Sequence, residues 1–380
     1  MKAFYSGSFR LGILGGGQLG RMFIQEAVNY DVRVSVLDPS ADAPCASIAH
    51  TFVQGNFADY DDVYAFGKTV DLLTIEIEHV NVEALERLRD EGLTICPDPD
   101  VLRIIRDKGL QKQFYHQKGI PTAPFHLVEN KAEAATFLAE FPFMQKLRRG
   151  GYDGKGVTPL RTADDLANAF DAPSVLEKMV PFEKELAVIV ARNAAGEINT
   201  FPLVEMVFNP EANLVEMLSC PAHVSPHTAA EADRIAREIA EHLSLTGILA
   251  VELFMLSDGS LLVNEIAPRP HNSGHQTIEG NVTSQYEQHL RAILNLPLGD
   301  PSLIAPSVMV NVLGEKGHSG PVKYFGIEEV MKWPGVYVHL YGKTETRPFR
   351  KMGHVTVVND DLAEAQRIGR EVLHTLKVIS

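Results

Sequence analysis

The chain has 380 residues, of which 45% are hydrophobic, and a formal net charge of −14 at pH 7. This length exceeds a single typical core and predicts two or three domains, while the acidic charge argues against nucleic acid or an anionic membrane as partner. No apolar run reaches the roughly 20 residues that span a bilayer. The N-terminus resembles no secretory signal, and three scattered cysteines predict neither a disulfide framework nor a metal cluster, so we expect a cytoplasmic protein.

Local clusters of basic residues contrast with the acidic background. Each of three clusters lies beside glycine or proline, and they consist of Arg148, Arg149 and Lys155, of Arg269, His271 and His275, and of Arg347, Arg350, Lys351 and His354. An acidic protein that gathers cations locally is expected to bind small anions. Ordinary scatter of surface cations is the alternative, and it explains one such cluster better than three.

The N-terminal segment predicts a βαβ unit. A short buried strand over residues 10–14 precedes Gly15, Gly17 and Gly20, and an amphipathic helix follows before a second strand that ends at Asp38. These glycines have the G-x-G-x-x-G spacing that lets a backbone approach phosphate at a helix N-terminus, as in NAD-binding proteins. The same glycines would equally serve another anion or a tight turn.

Acidic residues end the next predicted strand. Residues 72–77 read as a third buried strand that carries Glu76 and is followed closely by Glu78. The carboxyl ends of parallel strands are where open α/β sheets bind ligands, although acids also suit the first turn of the helix predicted over residues 81–89. One helix over residues 100–118, carrying Lys108, then leads to a linker over residues 119–124.

A glycine-rich loop dominates the following unit. A helix over residues 131–139 and a strand over residues 141–147, ending near Lys146, precede four glycines within residues 150–156. The backbone N–H groups of such a loop can point at phosphate, with cations alongside, but no Gly-Lys-Ser/Thr closes it as in a P-loop. A plain flexible hairpin is the alternative. Further strands are predicted over residues 174–178, 185–190 and 198–208, and a helix over residues 229–243.

Two strand-like runs, residues 248–256 and 261–266, flank the pair Asp258 and Gly259. Asp-Gly between apolar runs predicts a hairpin with a two-residue type I′ turn, which sets Glu252 directly opposite Glu265. Opposed Cβ atoms lie roughly 4.5–5.5 Å apart, so a cation such as Mg²⁺ would relieve the repulsion. A solvated face, one carboxyl of raised pKa, or a register slip are the alternatives.

The remaining chain supplies a polar loop, a helix and a tail. The loop covers residues 268–275 and a helix is predicted over residues 284–294. From residue 307 onward the sequence predicts a small β unit with a final helix over residues 362–376.

Six segments together carry a resemblance to a known family. They are GGGQLGRM at 15–22, TIEIEHV at 74–80, GGYDGKG at 150–156, NEIAPRPHNSGH at 264–275, QYEQHLRAI at 285–293 and RPFRKMGHV at 347–355. With them the chain resembles the ATP-grasp superfamily and, within it, the N5-carboxyaminoimidazole ribonucleotide synthetases of purine biosynthesis. The resemblance implies an α/β ATP-grasp fold with a Rossmann-like domain (1–110), a small lid subdomain with the glycine loop (111–182), a large subdomain (183–306) and a C-terminal β-rich unit (307–380).

The resemblance also implies binding residues for ATP, Mg²⁺ and 5-aminoimidazole ribonucleotide. For ATP they are Lys108, Lys146, Gly151, Tyr152, Asp153, Gly154, Lys155, Gly156, Val157, Glu177, Lys178, Met179, Val180, Glu185, Asn264 and Glu265. For the ribonucleotide they are Gly17, Gln18, Leu19, Glu76, Tyr152, Asp153, Lys155, Arg269, Ser273, Arg350 and Lys351, with His271 also at a matching position. Glu252 and Glu265 would hold Mg²⁺.

The implied reaction consumes ATP and bicarbonate. Bicarbonate would attack the γ-phosphoryl group to give carboxyphosphate, which would release CO₂ beside the amine of the ribonucleotide. Asp153 is the candidate base, and Lys351, His271 and Arg269 complete the expected catalytic group. The resemblance further implies a homodimer that passes its product to a separate mutase.

The sequence departs from the family pattern at two places and leaves three rival functions. Met206 and Phe208 stand where the family usually has Asn and His, so Phe208 is left out of the ATP site, and Ala267 replaces an Asn that often follows the second metal-binding acid. The rivals are an NAD-dependent oxidoreductase, another ATP-grasp ligase such as a formate-dependent transformylase, and a non-catalytic nucleotide sensor.

Overall fold

The computed structural model describes residues 3–151 and 156–380. Its first region is a parallel sheet in the order β3-β2-β1-β4-β5 with helices between the strands. The strands are β1 (Arg10–Leu14), β2 (Arg33–Asp38), β3 (Thr51–Gln54), β4 (Leu72–Ile75) and β5 (Thr94–Cys96). The helices are α1 (Gln18–Asn29), α2 (Tyr60–Gly67), α3 (Val82–Asp90) and α4 (Pro99–Arg106). This is the predicted βαβ opening, except that β4 ends at Ile75, before Glu76.

The helix predicted over residues 100–118 is two helices. α4 ends at Arg106, and α5 spans Lys108–Lys118, with Asp107 between them in an extended conformation (φ −115°, ψ 105°). The single-helix prediction was therefore wrong. Asp107 instead caps α5, because its carboxylate accepts hydrogen bonds from the N–H groups of Gly109 and Leu110.

A small antiparallel sheet follows α5, in the order β6-β9-β7-β8. Its elements are β6 (Phe125–Val128), α6 (Lys131–Ala135), β7 (Phe143–Leu147), β8 (Val157–Leu160) and β9 (Ser174–Lys178). The helix predicted over residues 131–139 is shorter than expected, with α6 followed by a separate 3₁₀ turn at Leu138–Glu140. This sheet brings the end of β7, with Lys146, beside β9.

The large antiparallel sheet has the order β15-β14-β10-β12-β13-β16-β21-β19, with β11 paired to β10. Its first part comprises β10 (Phe182–Arg192), β11 (Ile198–Thr200), β12 (Val204–Asn209), β13 (Leu214–Cys220), α7 (Pro226–His242), β14 (Gly247–Leu256), β15 (Leu261–Ala267), α8 (Thr277–Gly280) and α9 (Gln285–Ile293). The strand predicted over residues 198–208 is divided into β11 and β12. Pro202, which lies between them, has no N–H to donate to a ladder.

Residues from Ser307 onward are rich in β-structure, as predicted, and their longer strands extend the large sheet. The elements are β16 (Ser307–Leu313), β17 (Gly320–Pro321), β18 (Lys323–Phe325), α10 (Ile327–Val330), β19 (Val336–Leu340), β20 (Glu345–Thr346), β21 (Lys351–Val358), α11 (Leu362–Thr375) and β22 (Lys377–Ile379). Because β16 pairs with β13, this C-terminal part is continuous with the sheet that carries β14 and β15. The domain boundaries proposed from sequence stay predictions.

The hairpin of β14 and β15 has the predicted carboxylate pair, but its turn and its strand register differ from the prediction. Met255 pairs with Leu261, so the turn is longer than two residues, and only Gly259 (φ +81°) has positive φ there. The type I′ turn was therefore wrong, since that turn needs two such residues. A β-bulge at Asn264 adds one residue to β15, which restores the register and leaves Glu252 opposite Glu265.

Helices α7 and α9 hold the regions together. The largest hydrophobic core lies where α7 packs on β10, β14 and β15, and it includes side chains of α4 and α5. Helix α9 packs on both α1 and β14, so Tyr286 and Leu290 share a core with Phe23 of the first region. Within residues 3–151 and 156–380, no helix combines the length and apolarity needed to cross a membrane.

Side chains along β14 point alternately to the hydrophobic core and to the cavity, and this alternation allows a prediction about stability. Leu253 is 1% exposed in the largest core, between the cavity-lining Glu252 and Phe254. We expect Leu253→Ala to destabilise the protein by about 2–5 kcal/mol, because it removes buried methyl groups and leaves a cavity. Leu138→Ala is the matched control, since Leu138 is 39% exposed, and it should change stability by less than about 0.5 kcal/mol. Denaturant unfolding of both variants measures this; equal losses would contradict the assigned faces.

Candidate functional site

Lysines from two elements contact β15 at and next to the paired carboxylates of the hairpin. Lys108 Nζ, at the start of α5, lies 2.5 Å from Glu265 Oε2. Lys146 Nζ, near the end of β7, donates to Glu177 Oε1 and to Asn264 Oδ1, each at 2.9 Å. The lysines of two different elements therefore converge on β15 and β9.

Glu177 is shared by a second lysine that the sequence did not single out. Lys112 Nζ, one turn after Lys108 on α5, lies 2.5 Å from Glu177 Oε2 and donates to Thr122 Oγ1 at 2.6 Å. Lys112 and Glu177 are each 3% exposed. A buried carboxylate between two ammonium groups remains charged, since each cation offsets part of its desolvation.

The two hairpin carboxyls differ in pKa. Burial raises the pKa of Glu252, and the facing Glu265 and Glu185 carboxyls raise it further. The Lys108 ammonium, in contrast, lowers the pKa of Glu265. His271 Nε2 lies 3.5 Å from Glu252 Oε1. Glu252 thus has less cationic compensation than Glu265.

The opposed carboxyls fit a divalent cation. Oxygen ligands at one wall of a cavity suit Mg²⁺, which is typically bound by one or two carboxylates plus phosphate oxygens and water. Among the described residues, no group of three or more His, Cys, Asp or Glu side chains could hold a metal by itself. A cation held here would therefore take its remaining ligands from a substrate or water.

These groups lie on one cavity of about 1150 Å³ between the sheets. The predicted site residues that line it are Gln18, Leu19, Glu76, Lys108, Lys146, Gly151, Val157, Glu177, Lys178, Met179, Val180, Glu185, Glu252, Asn264, Glu265, Arg269, His271 and Lys351. They come from the first region, both sheets of the middle of the chain and the C-terminal part. The fold therefore assembles most of the predicted set around one space.

One end of the cavity has an apolar wall. Phe182 and Phe254 stack with ring centroids 4.5 Å apart, and both line the cavity together with residues 177–180. Glu185 lies beyond them on β10, where burial raises its pKa to about 7 while Lys146 opposes the rise. Phe208, left out of the predicted ATP site, also lines this cavity. Such a wall with one acid at its edge suits a base and its ribose.

The opposite end contains the glycine turn, and its geometry does not suit a dinucleotide. Glu76 accepts hydrogen bonds from Gly17 N–H at 2.5 Å and Gly20 N–H at 2.8 Å. Its carboxylate therefore occupies the helix N-terminus where a pyrophosphate would bind. Asp38 accepts from Gly16 N–H at 2.7 Å, so this acid is also engaged by the turn.

Cations face Glu76 from the C-terminal part. Lys351 lines the cavity, and its carbonyl accepts a hydrogen bond from Lys343 Nζ at 2.6 Å. Burial lowers the pKa of Lys343 to about 8, and the neighbouring Arg350, Lys351 and Arg347 lower it as well, while Glu76 opposes them. Sequence reasoning missed Lys343, which lies four residues before the basic cluster. Its closeness to that cluster was the available signal.

The other predicted residues lie behind the cavity wall or outside the described residues. Ser273 is 1% exposed and bonds through Oγ to His271 Nδ1 at 2.9 Å, so it contacts a cavity residue from behind. Arg350 Nη1 donates to the Glu345 carbonyl at 2.6 Å. Gly17 and Gly156 do not line the cavity. Tyr152, Asp153, Gly154 and Lys155 lie outside the described residues.

Comparisons with known proteins agree with this architecture. Residues 9–106 match the ribonucleotide synthetase preATP-grasp domain, residues 113–286 the ATP-grasp domain, and residues 307–368 the phosphoribosylaminoimidazole carboxylase C-terminal domain. The crystal structure of N5-carboxyaminoimidazole ribonucleotide synthetase from Thermotoga maritima is 43% identical, with a TM-score of 0.90, and covers 98% of this chain and 99% of that one.

Two further relatives extend the comparison. The Aspergillus clavatus N5-carboxyaminoimidazole synthase, solved with ADP and 5-aminoimidazole ribonucleotide, is 34% identical with a TM-score of 0.89 over 97% of this chain and 98% of that one. The phosphoribosylaminoimidazole carboxylase of Vigna aconitifolia chloroplasts is 40% identical over 94% of this chain, which spans only 65% of that protein's length. With domain matches along most of its length and near-complete structural overlap, the chain belongs to the N5-carboxyaminoimidazole ribonucleotide synthetase family of ATP-grasp proteins.

Proposed function

We propose that this chain uses ATP and bicarbonate to carboxylate the amine of 5-aminoimidazole ribonucleotide, releasing ADP and phosphate. The observation that carries the proposal is one continuous cavity with two different ends. One end has the carboxylate pair beside Lys108 and Lys146. The other has Glu76 and Lys351, and Lys343 contacts the Lys351 carbonyl from outside the lining. A phosphoryl donor and a ribonucleotide acceptor would thus share one space.

The end of the cavity that carries Lys108 and Lys146 suits ATP. Lys108 and Lys146 would contact its phosphates together with the amide groups of Gly151, Gly156 and Val157. The backbone of residues 177–180 would hold adenine against the apolar wall, and Glu185 would accept the ribose hydroxyls. Tyr152, Asp153, Gly154 and Lys155 would complete the loop over the phosphates, with Lys178 and Asn264 at the edge.

Glu252 and Glu265 would hold Mg²⁺ in this arrangement. The bound metal would supply positive charge beside the phosphate oxygens as charge develops on the transferring group. Lys108 already compensates Glu265, whereas burial and the facing carboxyls raise the pKa of Glu252, and a bound cation would oppose that rise. The two carboxyls therefore have room for one dication without a third protein ligand.

The cationic end suits the phosphate of 5-aminoimidazole ribonucleotide, which the Aspergillus clavatus relative binds together with ADP. Lys351 would contact that phosphate, and Arg350 and Lys343, which do not line the cavity, would add positive charge next to it. Gln18 and Leu19 of the glycine turn would bound the sugar. Glu76 and Arg269 would lie toward the imidazole ring, with Arg269 held by Glu78 Oε1 at 2.8 Å. The exocyclic amine would then face the ATP end.

Bicarbonate would bind between the two ends, where Lys351 and His271 offer cationic or donor groups. Its oxygen attacks the γ-phosphorus, the bond to the ADP oxygen breaks, and carboxyphosphate forms. Carboxyphosphate releases CO₂ and phosphate, and the amine nitrogen attacks the carbon of CO₂ and loses a proton. Asp153 is the proposed base for that proton. Enclosure keeps water from consuming carboxyphosphate first.

Partners and location follow from the same assignment. The product would pass to a separate mutase, and the enzyme would act as a homodimer in the cytoplasm.

An NAD-dependent oxidoreductase is the alternative suggested by the glycine spacing. It is disfavoured because the carboxyl groups of Glu76 and Asp38 already accept hydrogen bonds from the N–H groups of the turn, so those donors are not available to a pyrophosphate. It also leaves the lysines around Glu177 and Glu265 without a role.

A substrate-omission assay tests the proposed function. ADP release is measured in CO₂-free buffer with ATP, Mg²⁺ and 5-aminoimidazole ribonucleotide, and then with bicarbonate or formate added. We expect release that needs the ribonucleotide and rises with bicarbonate but not with formate. Dependence on formate would indicate a transformylase, and ATP binding without any turnover would indicate a nucleotide sensor.

The metal assignment predicts that Glu265→Gln reduces ADP release by at least about 100-fold, because the metal loses one of two protein ligands. The variant should retain its circular dichroism spectrum. Glu183→Gln is the control, since Glu183 is exposed on β10 and should retain activity. Full activity in Glu265→Gln would remove the carboxylate pair from the mechanism.

The raised pKa of Glu185 predicts a pH dependence. Its carboxyl, with a pKa of about 7, becomes neutral as pH falls, and a neutral acid is a weaker acceptor for ribose hydroxyls. ADP affinity should therefore fall by up to about 10-fold between pH 8 and pH 6. Calorimetric titration at both pH values measures it. Glu185→Gln should flatten the dependence, whereas Glu183→Gln should preserve it; an unchanged slope in Glu185→Gln would contradict the ribose contact.

A further inference from the structure

Asp107 makes more contacts than a helix cap requires. Its Oδ1 accepts from Gly109 N–H at 2.9 Å and Leu110 N–H at 3.2 Å, which caps α5. The same carboxylate receives two hydrogen bonds from Arg148, Nε to Oδ1 at 2.8 Å and Nη2 to Oδ2 at 2.9 Å. Arg149 Nε adds a third contact to Oδ2 at 3.2 Å. One carboxylate therefore bridges the start of α5 and the chain after β7.

The bridge is buried and reinforced by the backbone. Asp107 is 2% exposed, and Lys108 N–H donates to the Arg148 carbonyl at 2.9 Å. A Cβ atom on Gly109 would lie 2.6 Å from Arg148 Nε, so glycine is what lets the guanidinium approach. Burial acts to raise the pKa of Asp107, but Arg148 and the backbone N–H groups outweigh it, so the pKa is lowered and the carboxylate stays charged.

The bridged segments each carry a lysine of the site. Lys108 directly follows Asp107, and Lys146 lies two residues before Arg148. Lys108 reaches Glu265 and Lys146 reaches Glu177 and Asn264, whereas Asp107 itself does not line the cavity. Because a bidentate guanidinium–carboxylate pair has fixed geometry, it fixes the distance between the two lysine backbones.

We propose that Asp107 is a positioning residue that, through Arg148, holds Lys108 and Lys146 in register around the phosphoryl group during transfer. This rests on the proposed function, in which both lysines contact the ATP phosphates. A displacement of about 1 Å in such groups can cost about 100-fold in rate, while binding of the rest of the nucleotide is retained. The role is distinct from capping, which would affect stability alone.

Asp98 provides a matched control. It caps α4, with Oδ1 accepting from Asp100 N–H at 2.9 Å, and it pairs with Arg89 Nη1 at 2.9 Å, away from the cavity. Asparagine caps helices about as well as aspartate, so both Asp→Asn variants should retain their helices. In Asp107→Asn, however, the amide N–H₂ replaces Oδ2 and faces two guanidinium groups. This variant therefore loses the Oδ2 contacts with Arg148 and Arg149 and with them the bidentate pair, although Oδ1 can still accept from Arg148 Nε.

The test compares Asp107→Asn, Asp98→Asn and Arg148→Lys for ribonucleotide-dependent ADP release, ADP affinity and melting temperature. We expect the kcat of Asp107→Asn to fall about 10- to 100-fold with an ADP Kd within about threefold of wild type. Arg148→Lys keeps the charge but loses the bidentate geometry, so its kcat should fall similarly. A double variant that combines Asp107→Asn with Arg148→Lys should be no slower than the slower of these two single variants, because both substitutions disrupt the same contact.

Each outcome is decisive. A kcat for Asp107→Asn within twofold of wild type, or additive losses in the double variant, would overturn the positioning role. If Asp107→Asn does not fold, a normal kcat in Arg148→Lys would overturn it equally. Absence of ribonucleotide-dependent ADP release in wild type and Asp98→Asn would instead overturn the proposed function, and with it the reaction in which Asp107 acts.

Discussion

Charge compensation among the carboxylates and lysines of the cavity constrains every other part of the site. Glu177 lies between Lys112 and Lys146, and Glu265 is paired with Lys108, so these acids are stabilised within the protein. Glu252 faces Glu265 with less compensation, and burial raises its pKa. A carboxyl with little cationic compensation gains from a bound cation. The proposed metal–nucleotide complex would therefore bind at this pair of carboxyls.

The fold gathers this charge set from distant parts of the chain. Lys108 and Lys112 come from α5, Lys146 from β7, Glu177 from β9 and the carboxylate pair from β14 and β15. Helix α9 fixes the first region to β14, so the glycine turn and the hairpin keep their relative positions. The C-terminal strands extend the same sheet and bring Lys351 to the cavity. One cavity with two chemically different ends is the result.

Much of the architecture could be predicted from sequence because apolar runs and turn residues act locally. Strands such as β1 and β9 have the predicted bounds, and Glu252 does face Glu265. The prediction gave the correct pair from a wrong turn. The turn is longer than predicted and a bulge at Asn264 adds one residue to β15, and these two differences cancel in the strand register. Neither departure has a clear local signal, because each depends on how the strands pack.

The features that sequence missed are those set by tertiary partners. The break between α4 and α5 depends on Arg148, which lies 41 residues after Asp107 and competes with helix continuity. Lys343 interacts electrostatically with Glu76 and with the basic cluster, and these residues are brought to it by the fold. Phe208 lines the cavity although the family pattern has histidine at that position. The glycine spacing alone left NAD open, and the hydrogen bonds of Glu76 and Asp38 with N–H groups of the turn weigh against it.

The proposed mechanism transfers the γ-phosphoryl group of ATP to bicarbonate, and an isotope-transfer experiment can detect this step. Bicarbonate labelled with ¹⁸O is added with ATP and 5-aminoimidazole ribonucleotide, and the released inorganic phosphate is analysed by mass spectrometry within the first turnovers. Attack by a bicarbonate oxygen on the γ-phosphorus predicts that each phosphate carries one labelled oxygen. Unlabelled phosphate at the same rate of ADP release would mean that water is the acceptor, and would contradict phosphoryl transfer to bicarbonate.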